Sequence, residues 1–250
     1  AIKLYPLASP ATRNRQVHTV ASAILKHAGV DTKLKRPKGW RGNKRTNWLQ
    51  PAQAFALFAA ADRIDAEFGI FLRLLCYTGM RLSDGLGAAV ERLELGDAFL
   101  YLPTTKNDQP RGVHLPPVIV AALANHPRAL NHKGERIFRF RKSGRLYAML
   151  ERALEAAKIV LPPRTGFHVL CHTWATWMRR YGGLDTRGLV GTGRWSDQAS
   201  AARYEHVVAT EEARRADRLP TEQGWRRRAP AQKRKPWTFR GKGGRRAASA

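Results

Sequence analysis

Residues 65–81 read DAEFGIFLRLLCYTGMR, an apolar stretch that runs into the short sequence Thr78-Gly79-Met80-Arg81. Its large apolar residues recur every three or four positions, at Phe68, Phe71, Leu72, Leu75 and Cys76. This period predicts a helix over about 65–78 with one face in the core, and Gly79 is a typical stop signal. Arg81 therefore follows directly on a buried helix.

Helical patterns extend on both sides of this stretch. A helix is predicted at about 10–28, where Ser9 or Thr12 can cap it, Pro10 suits its first turn and Gly29 suits its end. Its expected apolar face consists of Val17, Val20, Ala21, Ile24 and Leu25. A second helix is predicted from Pro51, with Phe55, Leu57 and Phe58 as apolar residues. Further helices are predicted near 117–125, 143–158, 166–181 and 197–217.

Residues 91–116 lack the helical period. Leu93 and Leu95 alternate with charged residues, and a short apolar run follows at 99–102. Turn residues separate these runs at Gly96-Asp97 and at 106–108. We expect two or three short antiparallel strands here. The predicted fold class is therefore mainly α with a small antiparallel β-sheet, an α+β fold.

The charge distribution indicates an acidic partner. The chain has 250 residues and a net charge of +26, from 45 Lys and Arg against 19 Asp and Glu. Residues 1–50 carry +10 and residues 220–250 carry +9, so the centre is close to an ordinary globular composition. Nucleic acid is the leading candidate partner. The basic linker offers six candidates for contact with a DNA backbone: Lys35, Arg36, Lys38, Arg41, Lys44 and Arg45.

Composition also excludes several classes of protein. No apolar run approaches the roughly 18–20 residues that a membrane span needs, so we expect no membrane partner. Two cysteines, Cys76 and Cys171, cannot build a disulfide framework, and we expect a reducing cytoplasm. A content of 43% hydrophobic residues is enough for a core. The tail after residue 220 is basic and rich in Gly and Pro, which predicts disorder.

Several chemistry-bearing residues are dispersed along the chain, and each alone is a weak signal. Arg81 follows the helix stop, Lys106 lies in a predicted hairpin turn, and a helix begins with His168-Val169-Leu170-Cys171-His172. Trp195 precedes Tyr204 by nine positions. Their order and separation together resemble the tyrosine recombinase (phage integrase) family, over about residues 9–217. The segment 78–81 resembles its first box, 105–116 its lysine hairpin, and 168–176 its second box, which reads His-x-x-Arg-His.

The resemblance implies DNA strand cleavage and rejoining by transesterification, without a metal or other cofactor. Tyr204 would attack a scissile phosphate and form a 3′-phosphotyrosyl bond. Arg81 would bind the phosphate oxygens with its planar guanidinium. Lys106 would protonate the leaving 5′-oxygen as a general acid.

Four further residues receive roles from the same resemblance. His168 would assist proton transfer near the tyrosine, and Trp195 would donate its indole N–H to a phosphate oxygen. Asp84 would orient Arg81, and His172 would support the second box. The implied partner is double-stranded DNA, bound by a tetramer on paired sites, with a monomer equally expected in the absence of DNA.

The chain departs from the family at Cys171, which stands at the position of the second catalytic arginine. A thiol is short, uncharged and a weak donor, so we expect poor cleavage or none. Arg164 is the nearby arginine that the sequence offers as a substitute. The alternative of a zinc site, on His168, Cys171 and His172 at helical spacing, lacks a fourth ligand in the sequence. The expected metal content is therefore none.

Other functions compete with recombination. Cys171 favours a catalytically inactive DNA-binding relative. A type IB topoisomerase shares the chemistry, and a polycationic RNA- or ribosome-binding protein would explain the basic flanks alone. We divide the chain into the end of a core-binding domain with a basic linker (1–48), a catalytic domain (49–219) and a basic tail (220–250). Because family members have a longer N-terminal region, we expect a fragment of a larger, bacterial or phage-encoded, nucleoid-associated cytoplasmic protein.

Overall fold

The computed structural model describes residues 1–32, 34–40, 47–103, 111–131, 134–163, 165–195 and 197–207. Within these ranges the α-helices are α1 (Pro10–Arg13), α2 (Thr19–His27), α3 (Pro51–Ile64), α4 (Ala66–Thr78), α5 (Leu82–Gly87), α6 (Pro117–Ala124), α7 (Gly144–Ala156), α8 (His168–Arg180), α9 (Thr186–Gly191) and α10 (Gln198–Ala201). A π-helical turn, Asn14–His18, joins α1 to α2, and 3-10 turns cover Val90–Arg92 and Ala202–Val207. The strands are β1 (Leu93–Glu94), β2 (Phe99–Leu102) and β3 (Arg111–His114).

Local signals set the ends of the helices that carry the core. At the start of α3 the backbone N–H of Gln50 donates to the Gln53 side chain over 3.0 Å, and Pro51 occupies the first turn. At the start of α4 a carboxylate oxygen of Asp65 accepts the backbone N–H of Phe68 over 3.0 Å. These caps satisfy backbone groups that the helix itself leaves without partners.

The sheet is a three-stranded antiparallel meander in the order β1-β2-β3. Leu100 on β2 lies opposite Leu93 on β1 and Val113 on β3. Leu100 and Val113 are buried, whereas Phe99 and Tyr101 face outward. This alternation is what a half-buried strand requires. The predicted fold class, mainly α with a small antiparallel sheet, is confirmed.

Helix α4 lies at the centre of the main core, packed against α3, α6 and α8. Phe68 and Phe71 are fully buried. The ring of Phe71 lies 4.9 Å from that of Phe138, and the ring of Phe68 lies 5.8 Å from that of Phe140. Each fully buried ring contributes roughly 1.5–3 kcal/mol. A smaller cluster covers the other face of α8 and holds Trp174, Ala175, Leu189, Ala201 and Tyr204.

The structure differs from the expected elements in several places. The predicted helix at 10–28 forms, capped by Ser9, but none of the residues of α1 or α2 is buried, and Val20 and Ile24 are 51% and 62% exposed. Periodicity predicts a helix face without saying what covers it. Phe55 is likewise exposed.

Two short helices, α5 and α9, were not expected from the sequence. Each has only six residues, too few for a period to stand out. In place of one helix at 197–217, the structure has α10 followed by the 3-10 turn up to Val207. The rest of that prediction, and the basic tail, lie outside the described residues.

No helix in the described ranges is long and apolar enough to cross a membrane.

Candidate active site

The turn after α4 presents Arg81 at the edge of the core. Gly79 ends the helix with a φ of 63°, and a Cβ at this position would lie 2.4 Å from Cε3 of Trp174. Only glycine fits both the left-handed backbone and this close approach. The chain then buries Met80 and starts α5 after Arg81, whose side chain is 30% exposed.

Asp84 lies one helical turn after Arg81 and connects two cations. Its side chain is only 5% exposed, and its Oδ2 lies 4.0 Å from Nη1 of Arg81. The same oxygen lies 3.6 Å from Nη1 of Arg194. The structure therefore brings Asp84 beside Arg81, while the orienting role assigned to it stays a prediction.

Helix α8 carries His168, Cys171 and His172 on one face. The rings of His168 and His172 lie 4.5 Å apart. Cys171 is buried, and its thiol donates to the carbonyl oxygen of Met80 over 3.1 Å. Burial raises the pKa of Cys171, against the opposing effect of Arg194, so the thiol is uncharged at neutral pH.

Tyr204 lies in the 3-10 turn that follows α10, with its side chain 3% exposed. Its hydroxyl lies 2.7 Å from Nδ1 of His172. Burial raises the pKa of Tyr204 to about 12. Burial, with contributions from His168 and Arg203, lowers the pKa of His172 to about 4. At neutral pH both groups are therefore uncharged, and a hydrogen bond joins Nδ1 of His172 to the Tyr204 hydroxyl.

Trp195 packs between the tyrosine and helix α8. Its ring stacks on Trp174 at 5.9 Å with an interplanar angle of 22°. Its distance to the Tyr204 ring is 5.5 Å. The structure thus brings Trp195 to the tyrosine segment, while its hydrogen bond to a phosphate oxygen stays a prediction.

Arg194 was missed by the reasoning from sequence. Its side chain is almost completely buried, and its Nη2 donates to the sulfur of Cys171 over 3.2 Å. The available signal was that Arg194 directly precedes Trp195. A sequence does not show which residues such a side chain contacts in the folded chain. The structure thus brings a guanidinium to position 171 from a different segment.

An open cleft of about 450 Å³ lies in front of α8. Arg81, His168 and Cys171 line it, together with Lys142 and Glu151. Partial burial, and the charges of Arg194, Arg203 and Arg81, lower the pKa of His168. A neutral imidazole in a cleft with fixed cations is suited to an anionic ligand and to proton transfer.

Five residues named in the sequence analysis lie outside the described residues: Lys106, Arg41, Lys44, Arg45 and Arg164. Of the remaining linker candidates, Lys35 and Lys38 are exposed. Arg36 donates to Asn14 at the start of the π-helical turn, and its guanidinium stacks on Trp40 at 4.8 Å. Contact of this linker with a DNA backbone stays a prediction.

The zinc alternative finds no support in this geometry. Cys171 contacts Met80 and Arg194, whereas His172 contacts Tyr204. Across the described part of the chain, no group of three or more His, Cys, Asp or Glu side chains is placed to hold a metal ion.

Comparison with known proteins shows the fold and the family of the chain. No curated protein sequence matches the chain significantly. Among solved structures, the catalytic domain of bacteriophage HP1 integrase is similar with a TM-score of 0.54 and 22% identity, covering 71% of this chain and 98% of that one. XerA recombinase gives 0.59 and 19%, covering 86% and 85%. The Tn1549 transposon integrase, solved with transposon right end DNA, gives 0.67 and 14%, covering 87% and 82%.

At these identities the structural matches show a shared fold. The model of the phage integrase family matches residues 47–211, which contain Arg81, Cys171 and Tyr204. The chain belongs to the phage integrase family.

Proposed function

We propose that this chain catalyses site-specific DNA recombination, with Tyr204 as its nucleophile. Membership of the phage integrase family supports DNA strand transfer as the reaction class. The observation that carries the residue assignment is the 2.7 Å contact between the Tyr204 hydroxyl and His172, on the helix that also presents His168 to the cleft.

In the proposed first step, the hydroxyl oxygen of Tyr204 attacks the scissile phosphorus. The bond from this oxygen to phosphorus forms, and the bond from phosphorus to the 5′-oxygen breaks. The tyrosine proton passes to a histidine, and the leaving 5′-oxygen takes a proton from Lys106. In the second step a 5′-hydroxyl attacks the phosphorus and gives its proton to Lys106, while the bond from phosphorus to the tyrosine oxygen breaks and Tyr204 takes its proton back from the histidine. Each step exchanges one phosphodiester for another, so no cofactor is needed.

The geometry changes which histidine we assign to the tyrosine proton. The sequence interpretation gave this role to His168, but His172 is the one in contact with the hydroxyl. Burial raises the pKa of Tyr204 to about 12 and lowers that of His172 to about 4, so both shifts oppose proton transfer in this resting arrangement. A bound phosphate between Arg81 and His168 would favour the imidazolium and reduce this difference.

The proposed partner is double-stranded DNA. Arg81 and Lys142 give the cleft a positive wall, and the linker residues Lys35 and Lys38 are exposed cations. Two of the similar proteins were solved with DNA, the Tn1549 integrase with transposon ends and XerH with its difH substrate. We propose a tetramer on two paired sites as the active assembly, acting on DNA in the cytoplasm.

The test is formation of a covalent protein–DNA adduct. Genomic fragments that bind the full chain are enriched, nicked near the bound site to trap cleavage, and incubated with wild type and Tyr204→Phe. We expect a detergent-stable adduct with the wild type and none with Tyr204→Phe, at equal DNA affinity. Tyr181→Phe is the matched control, because Tyr181 is 62% exposed. Adducts that persist in Tyr204→Phe would refute the assignment.

A second candidate function is DNA binding without cleavage. The observation that favours it is the buried, uncharged thiol of Cys171 at the position of a family arginine. In that case the wild-type chain would bind the enriched fragments but form no adduct, and Cys171→Arg would restore adduct formation.

A further inference from the structure

We propose that Arg194 supplies to the scissile phosphate the second guanidinium that position 171 lacks. This inference rests on the proposed function, since it concerns the transition state of the same cleavage step. The proposed function gives roles to Arg81 and Tyr204 but none to Arg194. Its consequence is that Cys171 does not by itself make the chain inactive.

The first support is the position of the guanidinium. Nη2 of Arg194 lies 3.2 Å from the sulfur of Cys171. An arginine at position 171 would have its Cγ near this sulfur and would extend further into the space beyond it. Arg194 reaches the same sulfur from a different segment, between α9 and α10. The short thiol leaves room for it.

The second support is the cost of burying this cation. Arg194 is 6% exposed, and an arginine is rarely buried without a compensating partner. Its Nη1 lies 3.6 Å from Oδ2 of Asp84, the carboxylate that also faces Arg81 at 4.0 Å. Asp84 thus holds two guanidiniums at one place. Two cations against one anion leave a net positive charge, which suits a phosphodiester.

The third support is a hydrogen-bond donor of Arg194 that makes no hydrogen bond. Nη1 of Arg194 is buried and makes no hydrogen bond to any residue that the structure describes. Its carboxylate partner Asp84 lies 3.6 Å away, beyond hydrogen-bond distance, so a phosphate oxygen would supply the hydrogen-bond acceptor that this donor lacks. Cys171, which Arg194 contacts, lines the cleft together with Arg81 and His168. Arg194 itself lines a different pocket, with Thr78 and Trp174, and its guanidinium meets the wall of the cleft at Cys171.

The charge of Arg194 also reaches the two groups that handle protons. It lowers the pKa of His168, as does Arg81. It lowers the pKa of Tyr204 against the larger effect of burial. A cation at this position would stabilise both the tyrosinate and the charge that develops on the non-bridging oxygens.

Arg203 is the rival cation. It precedes Tyr204 and has the larger effect of the two arginines on its pKa. The geometry favours Arg194, because Arg194 contacts position 171 and shares Asp84 with Arg81.

The experiment measures the single-turnover rate of adduct formation on the nicked, enriched duplexes. It compares wild type, Arg194→Ala, Arg194→Lys, Cys171→Arg and the double variant Cys171→Arg/Arg194→Ala. Loss of one preorganised donor costs on the order of 10²–10³ in rate, so we expect that decrease for Arg194→Ala and a smaller one for Arg194→Lys. Arg187→Ala is the control, because Arg187 is an exposed arginine on α9.

The double variant separates catalysis from folding. If Arg194 acts on the phosphate, moving the guanidinium back to position 171 restores at least about tenfold of the rate lost in Arg194→Ala. If Arg194 is merely structural, Cys171→Arg raises the rate by the same factor with and without Arg194, whereas a larger gain in the Arg194→Ala background shows that the two guanidiniums share one role. DNA affinity and thermal unfolding show whether each variant is folded. Lack of rescue in a folded, DNA-binding double variant would overturn the inference.

The remaining outcomes decide between the role of Arg194, the same role for Arg203, and failure of the proposed function. If Arg194→Ala cleaves at the wild-type rate while Tyr204→Phe is inactive, the inference fails and the proposed function stands. A large loss in Arg203→Ala under those conditions would assign the role to Arg203. A wild type that is inactive until Cys171→Arg is introduced overturns the inference as well. Absence of adducts in every variant, including Cys171→Arg, refutes the proposed function itself.

Discussion

The burial of His172 makes stability depend on pH in a defined window. The ordinary pKa of a histidine is about 6.5, and burial together with His168 and Arg203 lowers that of His172 to about 4. Between these values the unfolded chain binds a proton that the folded chain does not. The free energy of unfolding therefore falls as the pH drops from about 6.5 towards 4.

The magnitude follows from the size of the shift. A difference of about 2.5 units corresponds to about 3 kcal/mol over the whole window. Between pH 7 and pH 5, the contribution of His172 falls by about 2 kcal/mol, because its unfolded form is almost fully protonated at pH 5. The side chain is 4% exposed, so solvent screening reduces this value little.

The assay is urea unfolding at pH 7 and pH 5, followed by tryptophan fluorescence. Other ionisable groups change with pH too, so the informative quantity is the difference between wild type and His172→Gln, which cannot titrate. We expect the wild type to lose about 2 kcal/mol more than the variant over this range. Part of the difference arises through His168, whose ring lies 4.5 Å away.

His27→Gln is the matched control, because His27 is an exposed histidine at the end of α2. This variant should lose as much stability as the wild type between the two pH values. If His172→Gln also loses as much as the wild type, His172 is not held neutral by its surroundings, and the reasoning from its burial is refuted.

Three further substitutions test the packing that positions the site, each by the free energy of unfolding in urea. Gly79→Ala should cost about 2–4 kcal/mol, because the new Cβ meets Trp174 at a φ of 63°; a change under about 0.5 kcal/mol would contradict the close approach. Thr173→Val should cost about 1–3 kcal/mol, because it removes the acceptor of the Leu49 backbone N–H; an isosteric variant as stable as wild type would argue against this bond. Glu67→Gln should cost about 2 kcal/mol, since a 1% exposed carboxylate loses its charge beside two arginines; unchanged stability would show that these ion pairs contribute nothing net.

Local sequence signals predicted most of the fold. The period at Phe68, Phe71 and Leu75 predicted α4, and Gly79 predicted its end. The alternation after residue 91 predicted the sheet. These signals work because helix and strand periods, caps and glycine stops act between residues close in sequence.

Other features of the fold did not follow from such signals. The apolar face predicted to include Val20 and Ile24 forms on a helix, but these two residues are exposed in the structure. Helices α5 and α9 are too short to show a period. In both cases the outcome depends on which other segments pack nearby, and the pattern of a single segment does not contain that information.

The candidate site also has a part that could be predicted from the sequence and a part that could not. The order of Arg81, His168, Cys171, Trp195 and Tyr204 could be read from the sequence, because each belongs to a short motif with its own spacing. The resemblance to the phage integrase family followed from that order, and the family is confirmed. The placement of Lys106 stays a prediction.

The sequence by itself therefore determined the fold class and the family, and it predicts a departure from the family at Cys171. Only the tertiary structure decided that His172 contacts the Tyr204 hydroxyl and that Arg194 contacts Cys171. Two histidines at i and i+4 share a helix face, so spacing cannot choose between them. Arg194 reaches Cys171 across 23 positions, and such a contact exists only because α8 packs against the segment that carries Trp195 and Tyr204.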